Sequence, residues 1–133
     1  MKGARVIEAQ EVPAPPGASW TNCLLVGREI VVSGVTARGP EGTIGGDSME
    51  AQTRACFERL FAQVRAAGGG PENIYKTVIY VTDIARKDEV NAARKAAFSG
   101  TYPASTLVEV KAFAFPDLLV EIDAFANLDV SLA

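Results

Sequence analysis

Apolar and polar positions alternate with a period of two along several short stretches of this chain and recur every three to four residues along two longer ones. Arg5 to Ile7 reads as a short first strand. Thr21 to Val26 and Glu29 to Val35 read as two strands separated by Gly27-Arg28, a hairpin turn. Arg38 to Gly46 is a polar, glycine-rich loop. Asp47 then stands as a helix N-cap, with Glu50 three residues on as its capping-box partner. Met49, Cys56, Leu60 and Val64 follow at helical spacing, and Phe57 and Phe61 widen the stripe. Gly68-Gly69-Gly70-Pro71 ends that helix. The run follows a helix and lacks a Gly-Lys-Ser/Thr ending, so it is no phosphate loop. Ile74 to Val81 reads as a strand and Lys87 to Phe98 as a second helix. Ser105 to Ala112 and Leu118 to Ala126 read as two strands joined by a turn around Pro116-Asp117.

The resulting order, β-β-β-α-β-α-β-β, with hairpins at both ends, predicts an α+β sandwich: one sheet with two helices on one face. The strands offer apolar residues to both faces. Ile30 and Val32 alternate with Val31 and Val35, and Ile79 and Val81 with Val78 and Tyr80. Two helices cover only one face of such a sheet. The other needs a partner, and self-association is the natural solution.

Composition narrows the picture. The 133 residues are the length of one domain, taken as 1–133, and a 48% hydrophobic content is enough for a core. No apolar run reaches membrane-helix length and none resembles a signal peptide, so the expected location is the cytoplasm. A net charge of −3 without a basic cluster argues against nucleic acid as a partner. Cys23 and Cys56 lack metal-ligand spacing and are expected to be reduced and buried. Histidine is absent, which excludes a Ser-His-Asp triad, a Cys-His dyad and a histidine-containing zinc site. No metal or cofactor is expected. Any proton transfer falls to a carboxylate, tyrosine, lysine, cysteine or water.

Several segments together carry a resemblance. They are Val32-Ser33-Gly34, Tyr75-Lys76-Thr77-Val78-Ile79-Tyr80-Val81-Thr82-Asp83, Val90-Asn91 with Phe98, Pro103-Ala104-Ser105-Thr106, and Val120-Glu121-Ile122-Asp123-Ala124. Their order and spacing resemble the RidA (YjgF) family from about Pro15 to Phe125. The resemblance implies a chorismate-mutase-like fold and a homotrimer with helices outside and three clefts between subunits. It also implies hydrolysis of small enamines and imines to keto acids and ammonia.

Matched one position at a time, the family's cleft aromatic falls on Trp20 and its Ser-Gly pair on Ser33 and Gly34. Its helix asparagine falls on Asn91, and its water-holding glutamate on Glu121. The family's carboxylate-binding arginine falls on Ser105, and the position two beyond it on Leu107. Serine offers neither the charge nor the fork of a guanidinium, so the usual 2-aminoacrylate deaminase activity is expected to be weak.

Each position also has a plainer reading. Glu121 is either the acid–base group or a solvated strand carboxylate. Asn91 either orients a ligand or caps backbone. Ser33-Gly34 either presents backbone to a ligand or permits close packing, and Trp20 either walls the cleft or belongs to an interface. Arg94, one helical turn after Asn91, either supplies the missing positive charge or is a solvated helix arginine. Two functions compete: hydrolysis of an imine- or enamine-like small metabolite in a cleft between subunits, and a non-catalytic, metabolite-binding or regulatory trimer. RNA cleavage is disfavoured by charge and by the missing histidine.

Overall fold

A computed structural model of the chain describes residues 3–133. Its strands are β1 (Ala4–Val6), β2 (Cys23–Val26), β3 (Glu29–Thr36), β4 (Arg38–Gly39), β5 (Gly42–Thr43), β6 (Ile74–Val81), β7 (Ala104–Glu109) and β8 (Val120–Asn127). The helices are α1 (Met49–Ala66) and α2 (Lys87–Ala97). Six strands form one sheet in the order β1-β2-β3-β8-β6-β7. The loop expected over residues 38–46 closes on itself as the two-residue ladder β4–β5. Both helices pack on one face of the six-stranded sheet, as the order of elements predicts.

Helix α1 begins one residue later than its expected cap. Ser48 has extended backbone angles, and its Oγ accepts from Ala51 N at 3.0 Å. Asp47 instead offers its backbone carbonyl to Arg86, and Glu50 pairs with Arg54 one turn along α1. The apolar stripe Met49, Cys56, Phe57, Leu60, Phe61 and Val64 is buried, and Gly68, at φ +96°, turns the chain out of the helix.

The expected C-terminal hairpin does not form. β7 pairs with β6, in parallel, and α2 is the crossover between them. β8 passes over to the middle of the sheet and pairs antiparallel with both β3 and β6. Its inward positions Val120, Ile122, Ala124 and Ala126 are buried, which suits a central strand. β7 is exposed at five of six positions, which suits an edge.

A second difference lies in β3. A bulge at Ser33-Gly34 sets two residues opposite one in β8. The extra residue turns Val35 back to the core side with Ile30 and Val32, instead of leaving it with Val31 on the open face. On the face away from the helices, half-buried Val31, Val78 and Phe125 are interspersed with Tyr80, Glu121 and Asp123. That face is mixed rather than uniformly apolar, and the described chain leaves it without a covering layer.

Both cysteines are buried and unpaired, as expected. Burial pushes the Cys23 thiol up to about 11, which leaves almost no thiolate at neutral pH.

Candidate functional site

The alternation of β8 puts Glu121, Asp123 and Phe125 on the open face. Glu121 lies opposite Thr36 of β3 and Tyr80 of β6, against the bulge. Gly34 has φ +48°, and a methyl group added there would stand 3.3 Å from Glu121 Oε2. Glycine therefore serves two ends: it takes the left-handed backbone and it lets the carboxylate lie against the bulge. Desolvation, then the neighbouring negative charge of Asp123, pushes the Glu121 carboxyl above its ordinary range. Glu121 has no hydrogen-bonding partner among the described residues, so both its oxygens are free for a ligand or water.

Asp123 was not among the residues singled out by sequence. It accepts from Gly34 N at 2.7 Å and from the Tyr80 hydroxyl at 2.8 Å. It thus ties the bulge to β6 and fixes the wall against which Glu121 rests. The signal was in the sequence, because Asp123 is two residues from Glu121 on the same strand face. Its partners lie 89 and 43 residues away and were not legible.

Ser33 Oγ donates to the carbonyl of Thr21 at 2.8 Å, and Ser33 N to that of Asn22 at 3.0 Å. The bulge thereby holds the loop that carries Trp20. The indole is 55% exposed and donates to Asn22 Oδ1. Trp20, Ser33, Gly34 and Glu121 therefore form one group, on the bulge side.

The remaining candidates form a second group at the opposite edge. Ser105 sits on β7 beside Thr77 of β6, whose Oγ1 donates to Ser105 Oγ at 3.0 Å. Thr77 is buried in the helix layer, so Ser105 points towards α2 and away from the Glu121 face. From α2, Arg94 Nη1 donates to the same Ser105 Oγ at 3.0 Å. A cavity of about 190 Å³ opens here, lined by Thr77, Asn91, Arg94, Lys95, Phe98, Tyr102, Pro103 and Ser105. Phe98 forms a firm wall, edge-on to both Phe57 and Phe61 at 5.3 and 5.5 Å. Leu107 is outside the cavity lining and packs against the core.

Several findings place the chain among known proteins. The family described as Endoribonuclease L-PSP matches residues 11–128. The 2-iminobutanoate/2-iminopropanoate deaminase of Escherichia coli is 32% identical over 127 residues, covering 92% of this chain and 97% of that protein. The chain belongs to the RidA (YjgF) family. A crystal structure of a protein of unknown function from Pseudomonas aeruginosa is 45% identical, with a TM-score of 0.91 over 100% of this chain and 98% of the other. A Rid-family protein of unknown function from Yersinia pestis is 30% identical, with a TM-score of 0.85 over 93% and 98% of the two chains. The RidA α+β fold is thus shared across its length, and the chorismate-mutase-like expectation holds.

Gly34 offers a direct test of the bulge. Gly34→Ala is expected to cost about 1–2 kcal/mol, because an L-residue must take the left-handed backbone. The melting temperature should fall by roughly 3–5 °C per kcal/mol for a domain of this size. An unchanged melting curve would show that the bulge relaxes freely and that Gly34 does not hold Glu121 in place.

Proposed function

We propose that this protein hydrolyses a small imine- or enamine-like metabolite in a cleft completed by a second copy of the chain. The observation that carries this is the division of the candidate residues. Glu121 and the Ser33-Gly34 bulge lie on the open sheet face, whereas Asn91, Arg94 and Ser105 lie on the helix side of the β7 edge. The acid–base candidate Glu121 belongs to the first half, and the candidate anchoring cation Arg94 to the second. Packing the open face of one subunit against the β7 edge of the next brings such halves together and covers the unpartnered sheet face.

In this reading the ligand carbon faces Glu121. Water adds to the imine carbon and gives a proton to the Glu121 carboxylate. That proton passes to the imine nitrogen and gives a carbinolamine; Glu121 then takes the hydroxyl proton and hands it to the nitrogen, which leaves as ammonia as the carbonyl forms. A carboxyl with a raised pKa suits both halves of this exchange near neutral pH. The name of the Escherichia coli relative, an iminobutanoate and iminopropanoate deaminase, supports the reaction class. The test is release of keto acid and ammonia from imines generated in place by an amino-acid oxidase. No release above the uncatalysed rate across a panel of such imines would sink the hydrolase reading and leave the cleft as a binding site.

The expected assembly is a homotrimer in the cytoplasm, acting on a small molecule without nucleic acid or membrane as partner. No helix among the described residues is long and apolar enough to cross a membrane. Light scattering should return about three times the 14.0 kDa chain mass. A clean monomer at micromolar concentration would remove the shared cleft and the reaction proposed for it.

A further inference from the structure

We propose that Arg94, reaching from α2, is the anion anchor of the cavity and takes over the position that Ser105 leaves without a charge on β7. This rests on reading the cavity as part of the metabolite cleft. Ser105 lies where the family resemblance implies a strand-borne guanidinium. The structure puts a guanidinium there by another route, because Arg94 Nη1 is 3.0 Å from Ser105 Oγ. Ser105 Oγ also accepts from Thr77, so the hydroxyl is held between strand and helix and fixes the approach of Arg94.

The surroundings match an anion. Arg94 and Lys95 both line the cavity, the Asn91 amide adds further donors, and among the described residues no carboxylate lines it. The ion pairs among the described residues engage Arg28, Arg54 and Arg86, and leave Arg94 without a carboxylate partner. Phe98, Tyr102 and Pro103 provide an apolar wall beside the charged one. At about 190 Å³ the cavity falls below the range of drug-sized pockets and suits a small carboxylate with a short apolar tail. A rival role exists for Arg94: a cation in the last turn of α2 favours the helix dipole. That role needs neither Ser105 nor a cavity.

The probes are 2-oxobutanoate, a stable keto acid of the kind imine hydrolysis releases, and its uncharged amide, 2-oxobutanamide. Binding of each is measured by titration calorimetry on the assembled protein. The carboxylate should bind at least roughly tenfold more tightly than the amide, the scale of a charge-assisted contact. Arg94→Ser should abolish that preference. The exchange Arg94→Ser with Ser105→Arg, which returns the guanidinium to the strand, should restore it. A preference that survives Arg94→Ser overturns the proposal. So does an exchanged variant, folded by its melting curve, that discriminates no better than Arg94→Ser alone; such a result leaves Arg94 as a helix-dipole residue. Discrimination that follows Arg94 in a protein without turnover would uphold the anchor and sink the hydrolase reading, whereas turnover with no discrimination would do the reverse.

Discussion

Glu121→Gln is expected to lower turnover of any imine substrate by roughly 100-fold or more, the scale for losing a general acid or base. Glutamine keeps the shape and most of the hydrogen-bonding capacity but cannot carry the proton. The contact with Gly34 survives the change, because the amide has the volume of the carboxylate. The wild-type rate should rise with pH through a limb set by Glu121. Desolvation and the charge of Asp123 place that limb above the ordinary carboxylate range, and in Glu121→Gln it should vanish. Stability should respond in the opposite sense. A carboxyl whose folded pKa is raised contributes stability below its unfolded pKa, and that contribution is lost as pH rises through the folded pKa. At neutral pH the ionised group is a cost, so Glu121→Gln should melt at the same temperature or slightly higher. Turnover that persists while the assembly dissociates would make Glu121 structural and leave a binding module.

Local periodicity made most of the elements legible. The buried stripe of α1, the strand Ile74–Val81 and the start of α2 at Lys87 all follow from spacing and caps close in sequence. What could not be read depended on distant pairing. Ser105 to Ala112 and Leu118 to Ala126 looked like a hairpin because a turn lies between them. The sheet instead inserts β6 between the two strands, for β8 is apolar enough to be central and β7 is not. The face of Val35 was misread because a bulge changes the parity of a strand without a change in composition. The site shows the same division. Glu121, Ser33, Gly34 and Asn91 came from matched motifs. The contact between Arg94 and Ser105 depends on how α2 lies against β7, and no spacing along the chain encodes that. Asp123 and Tyr80, which brace the Glu121 face from β8 and β6, became visible only when those strands were found side by side.

Deamination of 2-aminoacrylate and its short imine relatives should run below that of a family member with an arginine on the strand, at equal enzyme and subsaturating substrate, but by less than the roughly 10- to 150-fold that outright loss of the arginine would cost. That is the range spanned by one well-formed charged contact. Arg94 narrows the gap without closing it. One of its nitrogens is already engaged by Ser105, so fewer donors remain for a two-point grip on a carboxylate. Its stem also comes from the last turn of a helix, not from a strand locked in the sheet. Ser105→Arg alone should gain little, because it sets two guanidinium groups against each other where one now lies 3.0 Å from the hydroxyl. Exchanging the two residues, Arg94→Ser with Ser105→Arg, removes that repulsion and frees the fork. It should raise kcat/KM on the short imines above wild type, towards the arginine-bearing relative. The measurement is keto-acid release from oxidase-generated imine, with the Escherichia coli deaminase as control. Wild-type activity at parity with that control would show that a helix-borne arginine anchors the carboxylate as well as a strand-borne one. The departure at Ser105 would then carry no penalty for the reaction.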